Sequence, residues 1–109
     1  MATSALDIGP FKLAVTETVL VTVPSAHDYN LNAVRFCNTD SSIRTITIYE
    51  YKPPQTIANV EALVATLFAL NPGEIYEYGP VVLAATRKLS ALCDVADKVT
   101  VHVSGWDHS

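Results

Sequence analysis

Glycine, cysteine, tryptophan and basic charge are all scarce in this 109-residue sequence. Four glycines cannot build the Gly-rich loop that cradles a phosphate. Two cysteines, Cys37 and Cys93, are too few for a disulfide framework and lack the spacing of a metal knuckle. Seven Lys and Arg against eleven Asp and Glu leave a net charge of −4. The basic residues are scattered, whereas a nucleic-acid footprint needs a basic face that displaces counterions. No apolar run reaches the roughly 18–20 residues of a membrane span. The opening MATSALDIGPF has neither the basic nor the apolar region of a secretory signal. The expectation is a soluble protein made in the cytoplasm, with no nucleic-acid partner and no membrane partner.

Apolar residues, by contrast, make up 50% of the chain and charged residues only 17%, the opposite of the balance that keeps a chain disordered. The length suits one core. Residues 1–10, with Gly9-Pro10, read as an N-terminal arm outside the sheet, and 11–109 as a single domain. Within it, alternation with period two recurs on β-branched residues. Val15, Val19, Val21 and Val23 alternate with Thr16, Thr18 and Thr22 until Pro24. Val34 and Phe36 share one face, opposite Arg35 and Cys37. Ile46 and Ile48 oppose Thr45, Thr47, Tyr49 and Tyr51. Leu89, Ala91 and Cys93 are in phase, as are Val99, Val101 and Val103. The core expected from these phases is Val34, Phe36, Ile46, Ile48, Leu89, Val99 and Val101. Cys93 then points inward and Cys37 does not, so both are expected as free thiols.

Turn chemistry lies between the strands. The run Asn38 to Ser42 offers side chains that cap their own backbone. Pro53-Pro54 ends the strand before it, and residues 55–62 read as a loop or single helical turn. Asn71-Pro72-Gly73-Glu74 has proline and glycine where a type II turn wants them, and it reads as a hairpin joining Leu67–Leu70 to Ile75–Tyr78. Leu89–Cys93 and Val99–Val103 read as the last strand pair. The fold class expected is all-β, an antiparallel β-sandwich or jelly-roll-like barrel of about seven or eight strands.

A search for chemistry returns little. His102 falls on an outward strand phase, His108 in the tail, and His27 beside Asp28 in a loop; no spacing among them demands a metal. No nucleophile elbow is present, and Glu74 and Glu77 are read as exposed charges beside a turn. No catalytic, metal-binding or cofactor-binding residue is assigned, no cofactor is expected, and the chain is read as not an enzyme. The aromatics say more. Tyr49 and Tyr51 share one strand face, Tyr76 and Tyr78 another, and Trp106 stands near the C-terminus; such residues bury area while keeping a polar handle. Together with Leu6 and Ile8 of the arm they are the interface candidates.

Five stretches resemble a known family: Val19-Leu20-Val21-Thr22-Val23-Pro24, Ala33 to Thr39, Ile46-Thr47-Ile48-Tyr49, Leu70 to Glu77 with its Pro-Gly-Glu, and Val99-Thr100-Val101-His102-Val103-Ser104-Gly105. In this order they are similar to the small virion proteins of tailed bacteriophages. The family usually carries a Gly-rich loop after the first Val-Pro; Ser25 to Tyr29 stand here instead, and the 52–65 stretch is longer than usual. The resemblance implies a β-sandwich virion component made in the host cytoplasm. It would be a capsid decoration or cement protein bound in many copies to the major capsid protein, or a neck, tail or fibre-associated part, and a homo-oligomer. In that picture residues 1–10 dock on a neighbouring subunit. A carbohydrate-binding or receptor-binding module, using Tyr49, Tyr51 or Trp106 as a platform, is the alternative outside the family.

Overall fold

A computed structural model describes residues 3–56 and 63–109. Among them the chain is all-β. The strands are β1 (Thr3–Lys12), β2 (Thr18–Thr22), β3 (Asp28–Asn38), β4 (Arg44–Tyr51), β5 (Leu63–Leu70), β6 (Ile75–Tyr78), β7 (Val81–Leu83), β8 (Lys88–Cys93) and β9 (Val99–His108). They form two packed antiparallel sheets. One runs β1-β9-β3-β6, with β7 also on β3; the other runs β2-β8-β4-β5.

β6 and β7 pair with successive parts of β3, at Val34–Cys37 and Tyr29–Leu31, so together they fill one position in the sheet. Counted that way the strand pairs are nested. β1 pairs with β9, β2 with β8, β3 with β6 and β7, and β4 with β5. This is one long hairpin rolled into two layers, a jelly roll. The nine strands exceed the seven or eight expected because residues 3–12 add a strand and Gly79-Pro80 divides that position in two.

The seven residues expected in the core are all fully buried. Between the sheets they meet Leu13, Leu20, Val21, Val23, Leu31, Leu70, Leu83 and Val103. Truncating a ring at a site like Phe36 to a methyl costs roughly 3–5 kcal/mol, so this packed layer decides the fold. Cys93 is buried and Cys37 half-buried, both as free thiols. Burial pushes the Cys93 thiol up, and Asp94, which accepts its Sγ–H, adds to that.

Four expectations change. First, residues 3–12 are not an arm. They form β1, paired with β9 from Thr3↔His108 to Lys12↔Thr100 around a shift between Ile8 and Phe11, and Leu6, Ile8 and Phe11 pack on the core. Second, the Asn71–Glu74 turn has the expected type II form, with Gly73 at φ 76 and Glu74 N–H donating to Asn71 O at 3.0 Å. It is no hairpin, however, because β5 and β6 lie in opposite sheets. Third, Leu89–Cys93 and Val99–Val103 also lie in opposite sheets, so their connector is a crossover. Fourth, a shift between Val19 and Val21 in β2 breaks the alternation: Leu20 and Val21 are both buried while Val15 and Val19 are exposed. Of the stretch read as a loop or helical turn, residues 57–62 lie outside the described residues.

Candidate interaction surface

Alternation along β9 sends Val99, Val101, Val103 and Gly105 inward, and Thr100, His102, Ser104, Trp106 and His108 to the other face. Register then fixes the rows across this outer face of the five-stranded sheet. Ala5, Trp106, Asn30 and Val82 stand in one row. Thr3, His108 and Asp28 form the row nearer the strand ends, and Asp7, Ser104 and Ala33 the row on the other side. Trp106 is 45% exposed and Val82 65%, an apolar pair flanked along the strands by Asp28, His108, Thr3, Asp7 and Ser104.

Those polar groups hold one another. His108 Nε2 accepts from Asn30 Nδ2 at 3.0 Å, which leaves Nδ1 to donate to Thr3 Oγ1 at 3.2 Å. His102 pairs with Asp7 across β9 and β1. Arg35 pairs with Glu77 at 2.7 Å. At the strand ends His27 Nδ1 meets Asp107 Oδ1 at 2.7 Å, closing the open end of the sandwich. There Tyr29 has its pKa raised, first by burial and then by the Asp107 charge.

A second group of exposed apolar residues lies at the opposite end of the sandwich, Val15 and Ile43 on connectors that cross between the sheets and Ile75 at the start of β6. Val15 is 55% exposed, Ile43 56% and Ile75 61%. Their backbones are fixed. Asn38 is buried; its Nδ2 donates to Ser42 O and Leu70 O, each at 2.9 Å, and its Oδ1 accepts from Asp40 N–H. The Asn38 main chain also exchanges two hydrogen bonds with the 71–74 turn, accepting from Gly73 N–H at 2.8 Å and donating to Glu74 O at 3.1 Å. Arg44 lies between Asp40 at 2.7 Å and Asp94 at 3.4 Å. The Arg44 hydrogen bond and the Ser41 N–H hold the Asp40 carboxyl below the usual carboxylate range. For Asp94, burial pushes upward, but the hydrogen bonds from Cys93, the Thr45 N–H and Arg44 outweigh it and the pKa falls.

The seven interface candidates do not form one surface. Of the seven, Trp106 alone is exposed. Leu6, Ile8, Tyr76 and Tyr78 pack on the core as partly buried residues. Tyr76 contacts Phe68 with ring centroids 4.3 Å apart. Tyr78 has its pKa raised by burial, then by Glu50. Tyr49 is half-buried. Tyr51 is buried, with its hydroxyl donating to Glu17, so it is not the open phenol that alternation suggested. Burial and then Glu17 push Tyr51 up to about 12. Sequence reasoning missed Asn30 and Val82, because only strand register places them beside Trp106. It also missed Ile43 and Ile75, although an isoleucine flanking a polar turn is a readable sign of an apolar tip. Among the described residues, no three His, Cys, Asp or Glu side chains converge as metal ligands would.

Compared with known proteins, the chain matches no family model, no curated protein and no solved structure.

Proposed function

We propose that this chain is a non-enzymatic structural protein of a bacteriophage virion, a decoration or cement subunit bound in many copies to the major capsid protein. The observation that carries the reading is the placement of Val15 and Ile43 on crossover connectors and of Ile75 at the start of β6, all exposed at one end of a rigid jelly roll. Isolated exposed apolar side chains are ordinary, but Ile43 and Ile75 adjoin segments held by a buried asparagine and an Asp-Arg-Asp group, and Val15 follows Ala14, whose carbonyl accepts from Cys93 N–H at 3.0 Å, so the three are presented in a fixed geometry. Such a surface docks with little ordering cost. The strand-and-turn order shared with phage virion proteins supports the same reading. With residues 3–12 built into the sheet, attachment falls to this end of the molecule rather than to an arm.

The test has two parts. Quantitative mass spectrometry of purified particles should find the chain at a copy number comparable with the capsid protein; its absence from particles overturns the reading. In reconstitution, Ile43→Asp with Ile75→Asp should lower occupancy on particles about tenfold or more, while the isolated domain melts as the parent does. Full occupancy of the double variant moves the contact elsewhere on the surface.

A further inference from the structure

Trp106 is the chain's one tryptophan, and it stands on β9, between β1 and β3, with its side chain turned to the outside and 45% exposed. Its indole N–H has no hydrogen-bond partner among the described residues. The neighbours determine what fits on it. On the β1 side stands Ala5, a single methyl, which leaves that flank of the ring open. On the β3 side stands Asn30, with Val82 beyond it. The adjoining rows are mostly polar, Thr3, His108 and Asp28 on one side and Asp7, Ser104 and Ala33 on the other.

An aromatic plate one row wide, bordered by amide, imidazole, hydroxyl and carboxylate groups, is amphipathic on the scale of one sugar ring. The C–H face of a pyranose packs on an indole while its hydroxyls reach polar groups at the rim. A standard protein partner covers about 800 Å² per side and avoids charge at its centre. Here Asp7, His102, Arg35 and Glu77 stand within two rows of the ring, which argues against so broad an apolar contact. Asp7 and Asp28 in the adjoining rows, and a net charge of −4, disfavour an acidic sugar.

We propose that the outer face of the five-stranded sheet around Trp106 binds a neutral pyranose glycan. Trp106 is the stacking platform. Asn30 binds ring hydroxyls through its amide oxygen, and the Thr3–His108–Asn30 chain of hydrogen bonds holds the Asn30 amide in one orientation. This inference does not depend on the virion reading, which rests on the connectors at the other end.

Because Trp106 is the sole indole, its emission reports directly on the site. Titration with cello-, malto-, manno- and N-acetylchito-oligosaccharides should change that emission saturably for at least one series, while sialyllactose and oligogalacturonate leave it unchanged. Calorimetry with the binding series should show Trp106→Ala weakening affinity at least about tenfold, Trp106→Phe keeping part of it and Asn30→Ala weakening it as well, by about threefold or more. Circular dichroism melts of all three variants should match the parent. The inference is overturned if no neutral series changes the emission, if an acidic sugar binds as tightly, or if Trp106→Ala binds as well as the parent.

Discussion

At Gly105 the backbones of β9 and β3 leave no room for a side chain. A β-carbon placed there would lie 2.8 Å from Leu31 Cα and overlap the carbonyl oxygen of Asn30, beside the register shift between Leu31 and Ala33. Both obstacles are backbone, so no rotamer change relieves them. Gly73 presents the reverse case: a β-carbon there meets open space, but φ is +76°, a region that costs an L-residue roughly 1–2 kcal/mol. Gly105→Ala is therefore expected to cost more than about 3 kcal/mol and Gly73→Ala clearly less, as read from urea unfolding of both variants. The reverse order would mean that the two central strands are farther apart than described. Asn38 is the polar counterpart at this scale. A buried amide is tolerated because both its donors and its acceptor are used, and through them one residue fixes two crossovers.

At the scale of elements, much of the strand content was legible in the sequence and the pairing was not. Alternation found the inward residues of β3, β4, β8 and β9 because these strands keep period two across a buried face. It failed in β2, where the shift after Val19 changes the phase, and at Tyr51, which faces away from the core yet is covered. Turn chemistry at Asn71–Glu74 specified the local dihedrals. Which layer receives the next strand is set by core packing on both sides, which no four-residue motif encodes. For the same reason Trp106 was legible as an aromatic near the C-terminus, while its row with Asn30 and Val82 required the register of three strands. β1 was missed because Gly9-Pro10 looks like a strand breaker. Within β1 it instead interrupts a sheet edge, as Gly79-Pro80 does on the opposite edge, and a proline without an N–H suits an edge that must not recruit another strand. Removing residues 1–12 is thus expected to strip Leu6, Ile8 and Phe11 from the core and expose the unprotected edge of β9. The truncated chain should melt at least about 5 °C lower and associate on size-exclusion chromatography. A melt identical to the parent would restore the picture of a detachable arm.

On the scale of the whole molecule, stability is bounded at both ends of the pH range by groups the fold has shifted. Asp40 and Asp94 are lowered from 3.8, so their contribution is complete above about pH 4 and is lost as pH falls through their folded values. Tyr51 is raised from 10.0 to about 12, so its contribution is complete below pH 10.0 and is lost as pH rises toward about 12. Urea unfolding across pH should show both declines. Arg44→Gln should flatten the acidic one, because Asp40 loses its main partner, and Tyr51→Phe the alkaline one; an unaltered profile in either variant would assign that decline to other groups. The nested pairing has a consequence for the chain during its synthesis. The innermost pair, β4 with β5, is complete first, then β3 gains β6 and β7, β8 joins β4 and β2, and β9 arrives last. β1 leaves the ribosome before all of them, yet β9, the strand it pairs with, ends at His108. At roughly 5–20 residues per second, Leu6, Ile8 and Phe11 wait about 5–20 s for the strand that will cover them, and for that interval the nascent chain depends on chaperones rather than on its own sheet to stay out of aggregates.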